Sequence, residues 1–116
     1  MQHITPTQLQ DWISAAQAQL PDGQHPIVLD VREPWELQTA CVKANGFELV
    51  AMPMQTVPAR LSELDRSHPI ACLCHHGGRS AQVTMFLINN GFDQVVNIHG
   101  GIHAWAQTVD PSVPTY

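Results

Sequence analysis

The stretch Cys74-His75-His76-Gly77-Gly78-Arg79-Ser80 puts a thiol at the end of an apolar run, a glycine-containing loop behind it, and an arginine where a helix begins. That order builds a pocket for an anion around a nucleophilic sulfur. Gly77 and Gly78 allow backbone angles that turn N–H groups inward. The start of a helix adds partial positive charge, and Arg79 adds a full one. Such surroundings favour a thiolate, the nucleophilic form of cysteine. Cys74 is therefore the expected nucleophile, with His75, His76, Gly77, Gly78, Arg79 and Ser80 expected to surround its substrate. For His75 and His76 two roles stay open: donors or proton relays toward the substrate, or solvent-facing loop residues.

Cys72 lies on the same run with apolar neighbours and no loop of its own, so it reads as a core residue. Cys41 reads as structural or incidental, with a resolving thiol as the alternative. Cys72, Cys74, His75 and His76 crowd together, but structural zinc usually takes two separated ligand pairs. No second pair has that spacing, so no metal site is expected, with His99 and His103 only a loose match. Asp30-Val31-Arg32-Glu33 follows a β-branched run. Asp30 and Arg32 there either form an ion pair that fixes their loop or shape the Cys74 site from behind. Trp12, Trp35 and Trp105 read as packing residues.

These groups need a scaffold, and the composition limits what it is. At 116 residues and 44% apolar content, the chain is sized for one domain over residues 1–116 with a real core. Its net charge of −5 argues against a nucleic-acid partner and an anionic membrane. Anion binding must then be local. No apolar run reaches the ~18 residues of a membrane span, and residues 1–20 lack the pattern of a signal peptide. Three cysteines, two of them two residues apart, suit a reducing, cytoplasmic setting better than a disulfide framework. Nothing calls for more than a monomer.

Thr5 and Pro6 open a helix as N-cap and first helical residue. Leu9, Trp12, Ile13, Ala16 and Leu20 give it one apolar face, and Pro21-Asp22-Gly23 ends it. Strands are expected at Ile27 to Val31, Phe47 to Ala51, Ile70 to Cys74 and Val95 to Ile98. Helices are expected at Pro34 to Ala40, Val57 to Leu64 with Leu61 and Leu64 turned inward, Arg79 to Asn90 capped by Gly91, and after Gly100-Gly101. Apolar strands without alternation, interleaved with helices, predict an α/β fold with a central, mostly parallel sheet and helices on both faces. Ligands in such sheets bind beyond the carboxyl ends of the strands, where both Cys74 and Asp30 fall.

The chain resembles the rhodanese family, and in particular its single-domain members. Leu29-Asp30-Val31-Arg32-Glu33-Pro34-Trp35-Glu36 is similar to the family's first strand and turn. The Cys74–Ser80 stretch is similar to its active-site loop, and Val95-Val96-Asn97-Ile98-His99-Gly100-Gly101-Ile102-His103-Ala104-Trp105 to its last strand and glycine turn. The resemblance runs from Ile27 to Ala106. One departure is the turn after the first helix, which reads Ala40-Cys41-Val42-Lys43-Ala44-Asn45-Gly46 in place of a Gly-His-Ile-Pro-Gly-Ala-like sequence.

The resemblance implies a rhodanese-like fold and a sulfurtransferase. Cys74 would take sulfur from a small sulfur-containing anion such as thiosulfate, hold it as a persulfide, and pass it to cyanide, a thiol or a protein. Arg79 and the loop amides would hold the donor, and no cofactor would be needed. A dedicated persulfide relay for one partner is an alternative reading. Cysteine-based phosphatases and arsenate reductases of related fold keep five residues between Cys and Arg. Here four intervene, His75 to Gly78, a smaller cradle better suited to one sulfur than to a phosphate ester. A docking module that has lost its cysteine is a further class, and this chain keeps Cys74.

Overall fold

Ile27–Asp30, Ile70–Leu73 and Val95–Ile98 are mostly apolar, and each is buried along its whole length. Strands of this kind need cover on both faces, and the computed structural model, which describes residues 1–116, provides it. The elements run β1 (Gln2–Ile4), α1 (Leu9–Gln17), β2 (Ile27–Asp30), α2 (Pro34–Thr39), β3 (Glu48–Ala51), β4 (Ile70–Leu73), α3 (Gly78–Asn89), β5 (Val95–Ile98) and α4 (Gly101–Thr108). The strands form one all-parallel sheet in the order β1-β5-β4-β2-β3. Successive side chains go to opposite faces. Val28, Ala71, Leu73, Val96 and Ile98 pack with Leu9 and Ile13 of α1 and with Ile102 and Trp105 of α4. Ile27, Leu29, Ile70, Cys72 and Val95 pack with Val83 and Leu87 of α3.

This is the expected α/β fold with a parallel sheet and helices on both faces. The order of the strands explains where the site lies. The chain leaves β2 outward to β3, then returns to β4 on the other side of β2. Cys74 stands just beyond the carboxyl end of β4, next to that reversal, which is where such sheets bind ligands. No helix is long and apolar enough to cross a membrane.

Three local readings are corrected. β1 was not expected: only Ile4 of its three residues is buried, and its partner β5 is far away in the sequence. Val57 to Leu64 is not an α-helix. Two 3-10 turns form instead, Met54–Thr56 just before it and Leu61–Glu63 within it. Pro58 has no N–H to give the Met54 carbonyl, so the Met54–Thr56 turn does not run on as an α-helix, and shorter turns bury Leu64 and half-bury Leu61. Trp35 is not a packing residue: it is 61% exposed and stands edge-on to Tyr116. The other predicted helices form near their expected limits. The first begins with a 3-10 turn at Pro6–Gln8, where Gln8 Oε1 accepts from the Thr5 N–H. At the end of α3, the Gly91 and Phe92 amides donate to the Ile88 and Leu87 carbonyls.

One polar cluster fixes the carboxyl end of β2. Asp30 and Arg32 are both fully buried. The Arg32 Nε donates to Asp30 Oδ1 at 2.9 Å, and one terminal nitrogen donates to Asp30 Oδ2 at 2.8 Å and to the Ala40 carbonyl at 2.9 Å. The other donates to the Tyr116 hydroxyl at 3.0 Å and to the Glu36 carbonyl at 3.3 Å. All five guanidinium N–H groups are thereby used. Burial by itself lowers the Arg32 pKa, but Asp30 and Tyr116 reverse this and leave it raised. Because Ala40 and Glu36 are both in or beside α2, the pair holds that helix against the strand end. Arg32→Met should therefore cost about 3–5 kcal/mol, the penalty of a buried carboxylate that has lost its partner. Urea denaturation measures it, and a loss under about 1 kcal/mol, the scale of a surface pair, would contradict the clamp.

Candidate active site

The loop after β4 is shaped by what its carbonyls bond to. The Ile102 amide donates to the Cys74 carbonyl at 2.9 Å, and the His103 amide donates to the His75 carbonyl at 3.1 Å. Both donors belong to the first turn of α4, where helix N–H groups lack internal partners. α4 reaches the loop this closely because Gly101 has no side chain. A Cβ there would collide with the Cys74 and His75 carbonyl oxygens. The Gly77 carbonyl is taken by Asn97 Nδ2 at 3.2 Å. Gly77 itself has φ +111°, in the left-handed region that favours glycine.

Two amides from other peptide units of the same stretch point at the sulfur. Cys74 Sγ accepts from the Gly77 N–H at 3.1 Å and from the Ser80 N–H at 3.4 Å. The Ser80 hydroxyl lies 3.3 Å from Sγ and 2.6 Å from Asn97 Oδ1. With one proton, that hydroxyl donates to one of them at a time. When Cys74 is a thiol, its S–H donates to Ser80 and Ser80 donates to Asn97. When sulfur is negative, Ser80 can turn its proton to the sulfur. The N–H groups of His76, Gly78 and Arg79 have no acceptor within the protein. They are free for an anion at the start of α3.

Arg79 is 36% exposed at its side chain and forks onto the nearly buried carboxylate of Glu36, at 2.6 and 2.9 Å. Tyr116 donates its hydroxyl proton to Glu36 Oε2 at 2.6 Å. The Arg79 guanidinium, with burial opposing it, holds the Glu36 carboxyl down at about 2, and Glu36 in turn raises the pKa of Arg79. Two of the five Arg79 donors are used by Glu36, and three remain for another ligand. Asp30 and Arg32 do not touch the sulfur. They reach the loop through Tyr116, which bonds both Arg32 and Glu36.

His75 and His76 begin the loop. His75 stacks on the Tyr116 ring at 3.8 Å between centroids, and its pKa is lowered by burial and then by His76. His76 and Gly78 are the solvent-facing residues of the loop, whereas Cys74 is 1% exposed and Ser80 is buried. Cys72 is fully buried with its thiol pushed up to about 12 by burial, the inert companion that its surroundings predicted. Cys41 is exposed just beyond α2.

Four participants had no role in the sequence reading. Asn97 is a buried amide in the middle of an otherwise apolar strand, and that contrast was the signal available. Glu36 was visible only as a helix residue, Tyr116 only as part of an extended tail, and His103 only as a loose match, with His99, for a metal-ligand pair. Their places depend on long-range packing that spacing does not reveal.

Comparison with known proteins agrees with this geometry. The chain matches the Rhodanese-like domain over residues 5–108. It is 38% identical over 112 residues to the Rhodanese-like/PpiC domain-containing protein 12, chloroplastic, of Arabidopsis thaliana, covering 95% of this chain but only 34% of that relative. It is 31% identical over 93 residues to the Thiosulfate sulfurtransferase GlpE of Vibrio cholerae, covering 80% of this chain and 83% of the relative. The crystal structure of a rhodanese-related protein from Thermoplasma volcanium superposes with a TM-score of 0.76 at 28% identity, covering all of both chains. The match spans β4, the loop, β5 and the first turns of α3 and α4, and the chain belongs to the rhodanese family.

Proposed function

We propose that the chain is a sulfurtransferase in which Cys74 carries sulfane sulfur from a small anion such as thiosulfate to a thiophilic acceptor. The observation that carries this reading is the pair of amides, Gly77 and Ser80, that donate to Cys74 Sγ, with the Ser80 hydroxyl 3.3 Å from it. The Cys74 thiolate attacks the outer sulfur of thiosulfate. The S–S bond of the donor breaks, sulfite leaves with the bonding pair, and Cys74 becomes a persulfide anion. An acceptor then attacks the terminal sulfur: cyanide leaves as thiocyanate, or a thiolate leaves as a new persulfide, and the Cys74 thiolate returns. The inward amides stabilise negative charge on sulfur in both forms. The unpartnered amides of His76, Gly78 and Arg79, with the spare donors of Arg79, suit the sulfonate oxygens of the donor. The transfer itself needs no metal or organic cofactor.

The near-complete burial of Cys74 favours a small donor over an aryl ester, and with it sulfur transfer over phosphate hydrolysis. A second reading is a relay domain that serves one protein acceptor. The Arabidopsis relative, of which this chain spans about a third, favours it by placing such a domain within a longer protein. A relay would load sulfur readily and pass it slowly to small acceptors.

Two measurements follow. Initial rates with thiosulfate and cyanide should give parallel double-reciprocal lines, the pattern of two half-reactions. Cys74→Ser should form no thiocyanate, whereas Cys72→Ser should keep most activity. Intersecting lines, residual turnover in Cys74→Ser, or appreciable hydrolysis of an aryl phosphate would contradict the reading. The second measurement concerns Glu36, whose folded-state pKa of about 2 lies below its ordinary value of 4.5. Its ionised form stabilises the fold above that ordinary value, and the contribution is lost as pH falls toward the folded one. The stability gap between the parent and Glu36→Gln should therefore be widest above pH 4.5 and close toward pH 2. A gap that does not change with pH would contradict the Glu36–Arg79 pairing.

A further inference from the structure

The fold brings together three histidines that the sequence leaves apart. His75 and His76 open the Cys74 loop, and His103 lies in the first turn of α4. The His75 and His76 rings are 3.9 Å apart between centroids, and His76 and His103 are 5.0 Å apart. One ring nitrogen from each lies within 4.8 Å of the other two. The arrangement is already fixed at two of its corners, because the His103 amide is bonded to the His75 carbonyl at 3.1 Å.

Two nitrogens in this group are unaccounted for. His75 Nε2 and His103 Nδ1 are buried and have no hydrogen-bond partner. A buried ring nitrogen left unpaired is costly, and native proteins keep few of them. No other buried side-chain nitrogen or oxygen in the molecule is in this condition. That both fall in one cluster of mutually close imidazoles points to a shared ligand rather than to two separate defects.

We infer that His75, His76 and His103 form a binding site for a divalent transition-metal ion of the zinc class. The expectation that this chain has no metal site rested on the missing second ligand pair in the sequence. The fold supplies the missing ligand as His103. Imidazole nitrogens without a carboxylate suit zinc, nickel or copper and not calcium or magnesium, which take oxygen ligands. A tetrahedral zinc at ~2.0–2.1 Å from each nitrogen sets its ligands about 3.3 Å apart. Reaching that spacing requires the rings to close by a modest rotation. His76 is exposed and free to make it. Three protein ligands leave the fourth position open to water or to a sulfur anion. Cys74 Sγ faces the loop interior and is not among the ligands. An ion held here ties the loop to α4 through side chains, in addition to the existing backbone bonds.

The test is independent of sulfur transfer. Native mass spectrometry and calorimetric titration of the full chain with zinc chloride should find one ion per chain, and zinc should raise the melting temperature. His103→Ala and the more conservative His103→Gln should bind zinc at least about tenfold more weakly and show no such rise. Cys74→Ser, which removes the reactive thiol, and His25→Ala, which removes a histidine outside the cluster, should bind as the parent does. Absence of the one-to-one complex, unchanged binding in both folded His103 variants, or loss of binding in Cys74→Ser would overturn the inference.

Discussion

The site depends on the contact between the first turn of α4 and the loop that follows β4. The Ile102 and His103 amides take the Cys74 and His75 carbonyls. The contact anchors the peptide units on either side of His75, and the Gly77 and Ser80 amides that reach the sulfur follow in the same stretch. It also makes Gly101 obligatory, since any side chain there would strike the same two carbonyls. Backbone amides of Gly77 and Ser80 donate to Cys74 Sγ, and Arg79 adds a charged side chain at the start of α3. That resolves the apparent conflict with a net charge of −5, because the donors act only at hydrogen-bond range.

A second layer is electrostatic. Asp30, Arg32, Tyr116, Glu36 and Arg79 form a continuous chain of hydrogen bonds from the end of β2 to the start of α3. Acidic and basic groups alternate along it, with the Tyr116 hydroxyl between Arg32 and Glu36, so each buried charge has an opposite neighbour. Arg79 is held at the start of α3 and partly neutralised by Glu36, so it can favour an anion without trapping it through an unopposed charge. The tail residue Tyr116 joins the two halves and stacks on His75, which explains how a segment beyond the last helix belongs to the site.

Much of this was legible in the sequence. The apolar runs at Ile27, Ile70 and Val95 are long enough and apolar enough to require a sheet covered on both faces, and the Cys74 loop declared itself through its glycines and Arg79. What escaped depends on contacts between distant residues. β1 is short and mostly polar, so only its pairing with β5 makes it a strand. The apolar spacing at Val57, Leu61 and Leu64 is helical, but Pro58 keeps the Met54–Thr56 turn from running on as an α-helix, and a second 3-10 turn forms at Leu61–Glu63. Trp35 has the composition of a core residue, yet it stands exposed against Tyr116. The pairing of Arg79 with Glu36 and the meeting of His103 with His75 and His76 have no local signature at all.

The central claim is that Cys74 takes up and holds one sulfur atom beside the Gly77 and Ser80 amides. Intact mass of the protein after thiosulfate treatment, alongside Cys74→Ser, tests this most directly. The account predicts a gain of one sulfur atom in the parent alone, lost again when cyanide is added. An equal gain in Cys74→Ser, or no gain with either thiosulfate or a cysteine-desulfurase donor, would contradict it.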